Sequence, residues 1–291
     1  MDKRNGTFIG LAAGMSAGVS YGLNPLFAKS LLENGVDVYS MLFLRYAIAA
    51  VLMGLWMAIK RESFSLKRKQ IPWVTMLGLL FAGSSIGLFE SYRFIPAGLS
   101  TTLVYLYPAF TAIIMAFAGV RPSLKTCLAI AATLAGVLMI SFPGNGMTLK
   151  AAGLVLAILS ALSYAVYLVL VNNVRSIEDL PPHTITFYAL ASGTCLFGLI
   201  LGMHGTSVTE NISGVASWAD IVGLAVFPTM ISMLSLAIAT RNIGATRTAI
   251  LGVFEPITAI LIGVFVFGEV LTVQIAAGIL VCILAMTLIV K

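Results

Sequence analysis

The sequence predicts an all-α integral membrane protein, with ten transmembrane helices arranged as two inverted five-helix repeats. Composition is the first observation behind this prediction: the 291 residues are 59% hydrophobic and 10% charged, with a mean hydropathy of +1.03. A soluble domain carries about 25% charged residues, so this chain lacks the polar surface that water requires. The second observation is a set of long apolar windows, and the third is an internal repeat.

Ten apolar windows can be read along the chain, most of them about 20 residues long, which is the length of helix that crosses a ~30 Å hydrocarbon core. They are Phe8–Leu32, Val38–Ile59, Trp73–Phe94, Leu99–Val120, Leu124–Phe142, Leu149–Asn172, His183–Met203, Trp218–Thr240, Arg247–Phe267 and Thr272–Val290. Only helices and closed barrels satisfy their backbone groups in lipid, and these windows lack strict alternation, so each is predicted to be a helix. The first window follows Met1–Gly6 with no cleavage pattern, so no cleavable signal is expected.

The basic residues predict how the spans are oriented. With ten spans and the N-terminus inside, most Lys and Arg residues fall in cytoplasmic segments, as the positive-inside rule requires. The segment KRESFSLKRKQ after the second window anchors this orientation, and it is a much weaker candidate for a nucleic-acid patch. We therefore expect a bacterial-type cytoplasmic (inner) membrane location with both termini in the cytoplasm, contact with membrane lipid and no nucleic-acid partner.

Two halves of the chain resemble each other. Arg93–Lys125 aligns with Arg241–Val273, and the alignment pairs Pro108 with Pro256. Upstream, GLAAGMSAGVSYG aligns with GLVLAILSALSYA, which makes Tyr21 and Tyr164 equivalent. Because each half holds an odd number of spans, the halves must cross the membrane in opposite senses, as in many secondary transporters. The predicted units are residues 1–145 and 146–291.

These features resemble the drug/metabolite transporter superfamily, and within it the EamA-type ten-helix exporters. The resemblance covers essentially the whole chain and is sharpest in GATRTAILGVFEPITAILIGVFVFGEVLTVQIAAGILVCILAMTL, with its mid-helix proline and its Gly268–Glu269 turn. The first half departs from the pattern, because GVRPS stands where the family often has Gly-Glu. The resemblance implies export of small polar metabolites, amino acids or drugs from the cytoplasm without ATP hydrolysis.

Apart from Asp220 in the first turn of the eighth window, two carboxylates lie inside the predicted spans. A charge at the bilayer centre costs roughly 2.5–3.5 kcal/mol on insertion scales, so it normally faces a cavity or a partner. Glu255 lies near the middle of the ninth window without a basic neighbour at helical spacing, and we predict that it lines a cavity. Glu90 lies near the outer end of the third window with Arg93 three residues on, so an ion pair and a cavity position both remain open.

Prolines follow Glu255 and its repeat equivalent, Tyr107. Proline removes a helical hydrogen bond and kinks the helix, and the freed carbonyl is tolerated where it faces water or protein. Kinks at Pro108 and Pro256, related by the repeat, would enclose a central cavity, although such kinks also occur as packing features.

Further polar side chains are candidates for the lining of this cavity. They are Tyr21, Asn24, Tyr105, Tyr107, Tyr164 and Tyr167. Tyrosines there can stack on a substrate or donate hydrogen bonds to it, or they can be interior packing residues.

Four arginines lie near the ends of windows, where snorkelling to the interface is the ordinary explanation. They are Arg45, Arg93, Arg241 and Arg247. Arg241 and Arg247 are in addition candidates for steering an anionic group at the cytoplasmic mouth.

The residues favour a secondary transporter that exports small metabolites, such as amino acids or related amphipathic or cationic solutes, by alternating access through a central cavity. Glu255 is expected to bind a substrate amine or to carry a coupling proton. An uncoupled facilitator or channel is the alternative. An intramembrane lipid-modifying enzyme is disfavoured, because His183 and His204 lack a metal-binding spacing and no G-x-S-x-G elbow occurs. No cofactor or metal is expected, and the solute, the coupling ion and the oligomeric state stay open.

Overall fold

The computed structural model describes residues 3–91, 93–95, 100, 103–141, 150–205, 207–268 and 272–290. Over these ranges the regular secondary structure is helical and contains no strands. The predicted boundary between residues 145 and 146 and the turn residue Glu269 lie outside the described residues.

The chain forms ten transmembrane spans in two inverted five-helix repeats, as predicted. The first five spans are Lys3–Gly22 with Asn24–Glu33, Val38–Ile59, Ile71–Ser91, a fourth whose described part includes Tyr107–Phe117, and Leu124–Ser141. The sixth and seventh are Ala151–Asn173 and Pro182–His204, with the short 3-10 helix Arg175–Ile177 between them. The last three are Gly214–Ala225 with Val226–Ile231 and Ser232–Ile243, then Ala245–Leu251 with Phe254–Phe265, and Val273–Val290.

The prolines stand where spans are broken. Pro108 and Pro256 lie in the first turn of the helices Tyr107–Phe117 and Phe254–Phe265, where the missing N–H group has no intrahelical partner to lose. The predicted kinks are therefore interruptions at which a second helix begins. Pro25 occupies the same kind of position after the break at Leu23, and Pro228 lies in the π-helical segment of the eighth span.

The contacts between spans follow the same pattern when the two halves of the chain are exchanged. The first span packs on the eighth, and the third packs on the sixth, which is the same pair after the exchange. The first span also packs on the ninth as the sixth packs on the fourth. The second and seventh, the fourth and ninth, and the fifth and tenth spans pair with their own equivalents. A pseudo-two-fold axis therefore relates the two halves, and it places the first, fourth, sixth and ninth spans together at the centre.

Small residues allow the first span to approach the ninth closely. A β-carbon added at Gly18 would lie 2.9 Å from the Cβ of Phe254, and one at Gly22 would lie 2.5 Å from the carbonyl oxygen of Glu255. Between the third and sixth spans, the Ser160 hydroxyl donates to the carbonyl oxygen of Ser84 at 2.6 Å. Close backbone approach and interhelical hydrogen bonds are the usual means of helix association in lipid.

Large apolar side chains cover the outer faces of the spans. Phe117 is 89% exposed and Phe265 is 81% exposed, whereas Tyr46, Met41 and Phe197 in the interior are inaccessible. This arrangement inverts the usual preference of a soluble protein for a polar exterior, because lipid tails solvate the outer surface.

Substitution of Gly22 by alanine tests the close packing of the first and ninth spans. The new methyl group would meet backbone at Glu255, which cannot move without shifting the helix Phe254–Phe265. Overpacking of this kind costs about 1–3 kcal/mol, or a fall in Tm of about 2–10 °C, measurable by thermal unfolding in detergent. Gly202→Ala is the matched control, because its added carbon would meet no atom within 4 Å apart from its chain neighbours and the backbone of its own helix. Equal melting temperatures for the two variants would contradict the packing.

Candidate functional site: a tyrosine-lined cavity at Glu255

The break in the ninth span places Glu255. The helix Ala245–Leu251 ends before Gly252, and Glu255 stands in the first turn of the helix that starts at Phe254. Free N–H groups at a helix N-terminus carry partial positive charge and stabilise a carboxylate in the first turn. The break therefore supplies a favourable position for an acidic side chain at the depth where a span is otherwise apolar.

Three adjoining cavities surround Glu255 and Tyr21, and both side chains line all three. The largest has a volume of about 80 Å³ and is lined also by Gly22, Asn24, Pro25, Leu88, Phe89, Pro256 and Ala259. The other two have volumes of about 10 Å³ each. Since one water needs roughly 10–15 Å³ of such space, only the largest has room for several waters or a very small solute.

The tyrosines form a connected cluster beside these cavities. Tyr107 packs edge-on against Tyr164 with ring centroids 4.6 Å apart, and both line a cavity with Glu255. Tyr105 and Tyr167 are packed behind them, with exposed fractions of 2% and 0%. The hydroxyl of Tyr105 donates to the carbonyl oxygen of Ile250 at 3.3 Å. The structure therefore brings Tyr21, Tyr107 and Tyr164 to the cavities, and it uses Tyr105 and Tyr167 as interior supports.

Glu90 forms an ion pair with Arg93 instead of joining this group. A carboxylate oxygen of Glu90 lies 3.1 Å from Nη1 of Arg93, at the end of the third span. The carboxylate also raises the pKa of the Arg93 guanidinium above its ordinary value. The sequence left open whether Glu90 forms an ion pair or lines the cavity, and the structure shows the ion pair.

Arg45 is the polar residue that the sequence analysis placed wrongly. Its exposed fraction is 0%, so it does not snorkel to the interface. Nε donates to Oγ1 of Thr229 at 2.5 Å, Nη1 to Oδ1 of Asn24 at 3.0 Å, and Nη2 to the carbonyl oxygen of Pro228 at 3.3 Å. These partners belong to two other spans: Asn24 to the first, and Pro228 and Thr229 to the eighth. The available signal was the position of Arg45 inside the Val38–Ile59 window, beyond the first turn.

Arg241 acts as a tether at the end of the bundle where the chain starts. Its guanidinium donates to the carbonyl oxygen of Glu178 at 2.6 Å and also to that of Ile177. It lines a separate cavity of about 330 Å³ together with Asn172, Asn173 and Arg175, among others. Arg247 is exposed and is not part of this lining. Steering of an anionic group by these arginines stays a prediction.

In the described part of the chain, no three His, Cys, Asp or Glu side chains come close enough together to hold a metal ion. The cavities at Glu255 present one carboxylate, several phenols and an amide. These groups suit the binding of a small polar solute through hydrogen bonds and charge.

Comparisons with known proteins agree with this architecture. The model of the EamA-like transporter family matches residues 8–142 and again residues 151–291. An uncharacterized transporter from Archaeoglobus fulgidus is 31% identical over 270 residues, which cover 90% of this chain and 89% of that protein. The uncharacterized transporter YdfC of Bacillus subtilis is 28% identical over 207 residues, covering 70% and 66%. A solved crystal structure superposes with a TM-score of 0.83 over 96% of this chain and 97% of its own, at 18% identity.

Replacement of Arg241 by glutamine tests the tether. The change removes a part-buried hydrogen bond to the Ile177 carbonyl and an exposed one to the Glu178 carbonyl. Because the Ile177 carbonyl also accepts from the N–H group of Leu180, we expect only the net value of these bonds to be lost, about 1 kcal/mol. We expect the Tm in detergent to fall by about 2–4 °C. Arg247→Gln removes the same charge from an exposed position and should leave the Tm within about 1 °C, in keeping with the small effects of surface substitutions. An unchanged Tm for Arg241→Gln would show that the tether contributes no stability.

Proposed function

We propose that this chain, which belongs to the EamA-like transporter family, is a secondary transporter that exports small metabolites from the cytoplasm. The cargo would be amino acids or related amphipathic or cationic solutes. The observation that carries the proposal is the half-buried carboxylate of Glu255, which lines the cavities between the two halves of the chain. The ion pairs found among the described residues involve other carboxylates: those of Asp179, Glu90 and Glu62.

A carboxylate at this depth without a direct ion-pair partner is costly unless a ligand or a more distant opposite charge balances it. Glu255 would bind the amine of a cationic or zwitterionic solute, or would carry a coupling proton between the two sides of the membrane. The aromatic rings of Tyr21, Tyr107 and Tyr164 would then contact the apolar part of the cargo. A mostly apolar lining with a few polar groups is typical of sites that bind small molecules.

Alternating access is the proposed mechanism. The largest cavity at Glu255, about 80 Å³, is well below the ~300–1,000 Å³ of pockets that enclose small ligands. Cargo binding would therefore require the spans around the cavity to separate. The interruptions at Leu23, Leu106 and Gly252 supply points at which half of a span can tilt without breaking regular helical hydrogen bonds. Inverted repeats provide the two equivalent arrangements that such a cycle needs.

Flux measurements in proteoliposomes test the role of Glu255. We expect Glu255→Gln and Glu255→Ala to lower the transport of a solute that the wild-type protein carries by about 10–100-fold, because a hydrogen bond to a charged group is worth about 1.5–3 kcal/mol. Glu90→Gln is the matched control: it removes a carboxylate whose partner Arg93 is exposed, and such surface ion pairs contribute about 0–1 kcal/mol. Wild-type flux in both Glu255 variants would remove this residue from the mechanism.

An imposed proton gradient separates a coupled exporter from a facilitator. The exporter is expected to accumulate solute against its concentration gradient when protons flow in the opposite direction, and Glu255→Gln should abolish accumulation. Flux that only ever equalises the two solute concentrations, with or without the proton gradient, would establish the facilitator instead.

The proposed orientation places both termini in the cytoplasm of a bacterial-type cell, in its cytoplasmic (inner) membrane. Clusters such as Lys67, Arg68 and Lys69 would then lie inside, in keeping with the positive-inside rule. A C-terminal green fluorescent protein should be fluorescent and a C-terminal alkaline phosphatase inactive, because the first folds in the cytoplasm and the second in the periplasm. The reverse pattern would overturn the orientation.

A further inference from the structure

The buried guanidinium of Arg45 is solvated by protein but is not neutralised by its immediate neighbours. Its three hydrogen-bond acceptors are a hydroxyl, an amide and a backbone carbonyl, and all of them are uncharged. Arginine stays protonated in proteins, so a full positive charge resides there. The ion pairs in the described part of the chain, with N–O distances up to 4.0 Å, do not include it.

Glu255 is the carboxylate that shares this part of the interior with Arg45. Cζ of Arg45 lies 5.8 Å from the ring centroid of Tyr21, and Tyr21 lines every cavity that Glu255 lines. Asn24, which accepts a hydrogen bond from Arg45, lines the 80 Å³ cavity together with the same carboxylate. Tyr21 and Asn24 therefore adjoin both the guanidinium of Arg45 and the cavity that Glu255 lines.

With Glu255 ionised, its charge balances that of Arg45, and the empty site carries no net charge. A solute that is only a cation would cancel Glu255 and leave Arg45 unbalanced, and a solute that is only an anion would add to the charge of Glu255. Since charges interact strongly at low dielectric, either imbalance is penalised. A zwitterion keeps the site neutral, with its ammonium group at Glu255 and its carboxylate towards Asn24 and Tyr21.

We propose that Arg45 is a specificity-determining positioning residue, whose fixed charge restricts the cargo to solutes that carry both an ammonium group and a carboxylate. This inference rests on the proposed function and names the feature of the cargo that the site selects. Arg45 does not line the cavities itself; it acts through its field and by holding the amide of Asn24 in place.

Matched solutes test the inference by calorimetric binding to the purified full-length protein in detergent. The pairs are leucine with isoamylamine and phenylalanine with phenethylamine, which differ only in the carboxylate. Wild-type protein is expected to bind each amino acid at least ~10-fold more tightly than its amine. Arg45→Lys keeps the charge and should keep this preference, with weaker binding. Arg45→Gln leaves Glu255 unbalanced and should reverse the preference in favour of the amines.

A second variant protects the test from a failure of Arg45→Gln to fold, which size-exclusion chromatography and Tm would reveal. Glu255→Gln leaves Arg45 unbalanced, and we expect it to bind 4-methylpentanoate, the leucine skeleton without its amine, about 10-fold more tightly than wild-type protein does. A purely structural role of Arg45 predicts no such change in charge preference.

Equal affinities of wild-type protein for both members of each pair, an unchanged preference in Arg45→Gln, or no binding of either amino acid would overturn the inference. None of these outcomes decides the proposed function, because flux of a different solute would still depend on Glu255. Conversely, normal flux in the Glu255 variants would end the proposed function, whatever the binding preferences are.

Discussion

Burial of the Arg45 guanidinium is the interaction on which the geometry of the central region depends. From the second span, this one side chain reaches the break in the first span at Asn24 and the π-helical segment of the eighth span at Pro228 and Thr229. Irregular backbone at membrane depth survives only where protein satisfies its polar groups. The guanidinium of Arg45 needs hydrogen-bond acceptors, and the irregular segments supply them. The buried charge and the irregular backbone therefore stabilise each other. The fixed break then orients Tyr21 and Asn24 towards Glu255.

The two halves share a backbone plan and differ in the chemistry that they place on it. Tyr107 and Glu255 both immediately precede a proline in the first turn of a helix that restarts a broken span. The repeat brings these equivalent positions to one cavity, where the first half contributes a phenol and the second contributes a carboxylate. The symmetry of the backbone thus forms a cavity near the axis, and the divergence of the two sequences makes its lining chemically asymmetric.

Features that depend on residues close together in sequence could be predicted, whereas features that depend on contacts between spans could not. Window length and apolar composition act locally, and they located the spans. The ion pair of Glu90 and Arg93 was foreseeable as an alternative because its partners are three residues apart. Arg45 was misjudged because a basic residue near a window end is compatible with snorkelling and with burial, and the choice lies with Asn24 and Thr229, in other spans. The prolines indicated that the helix is disturbed at these positions. Whether the helix kinks or ends and starts again depends on the side chains of other spans that pack against it.

Charge balance would also serve the proposed alternating-access cycle. A site that exposes itself alternately to two sides must pass through a closed arrangement both with cargo and without it. Any net charge in that closed arrangement faces the desolvation cost of the membrane interior, which slows the step. With Glu255 ionised, the buried cation of Arg45 would keep the empty site neutral, and a zwitterionic cargo would keep the loaded site neutral as well. Both crossings then avoid the penalty, whereas a lone carboxylate would favour the loaded crossing and trap the empty carrier. In the proposed mechanism, Arg45 would allow the empty protein to return.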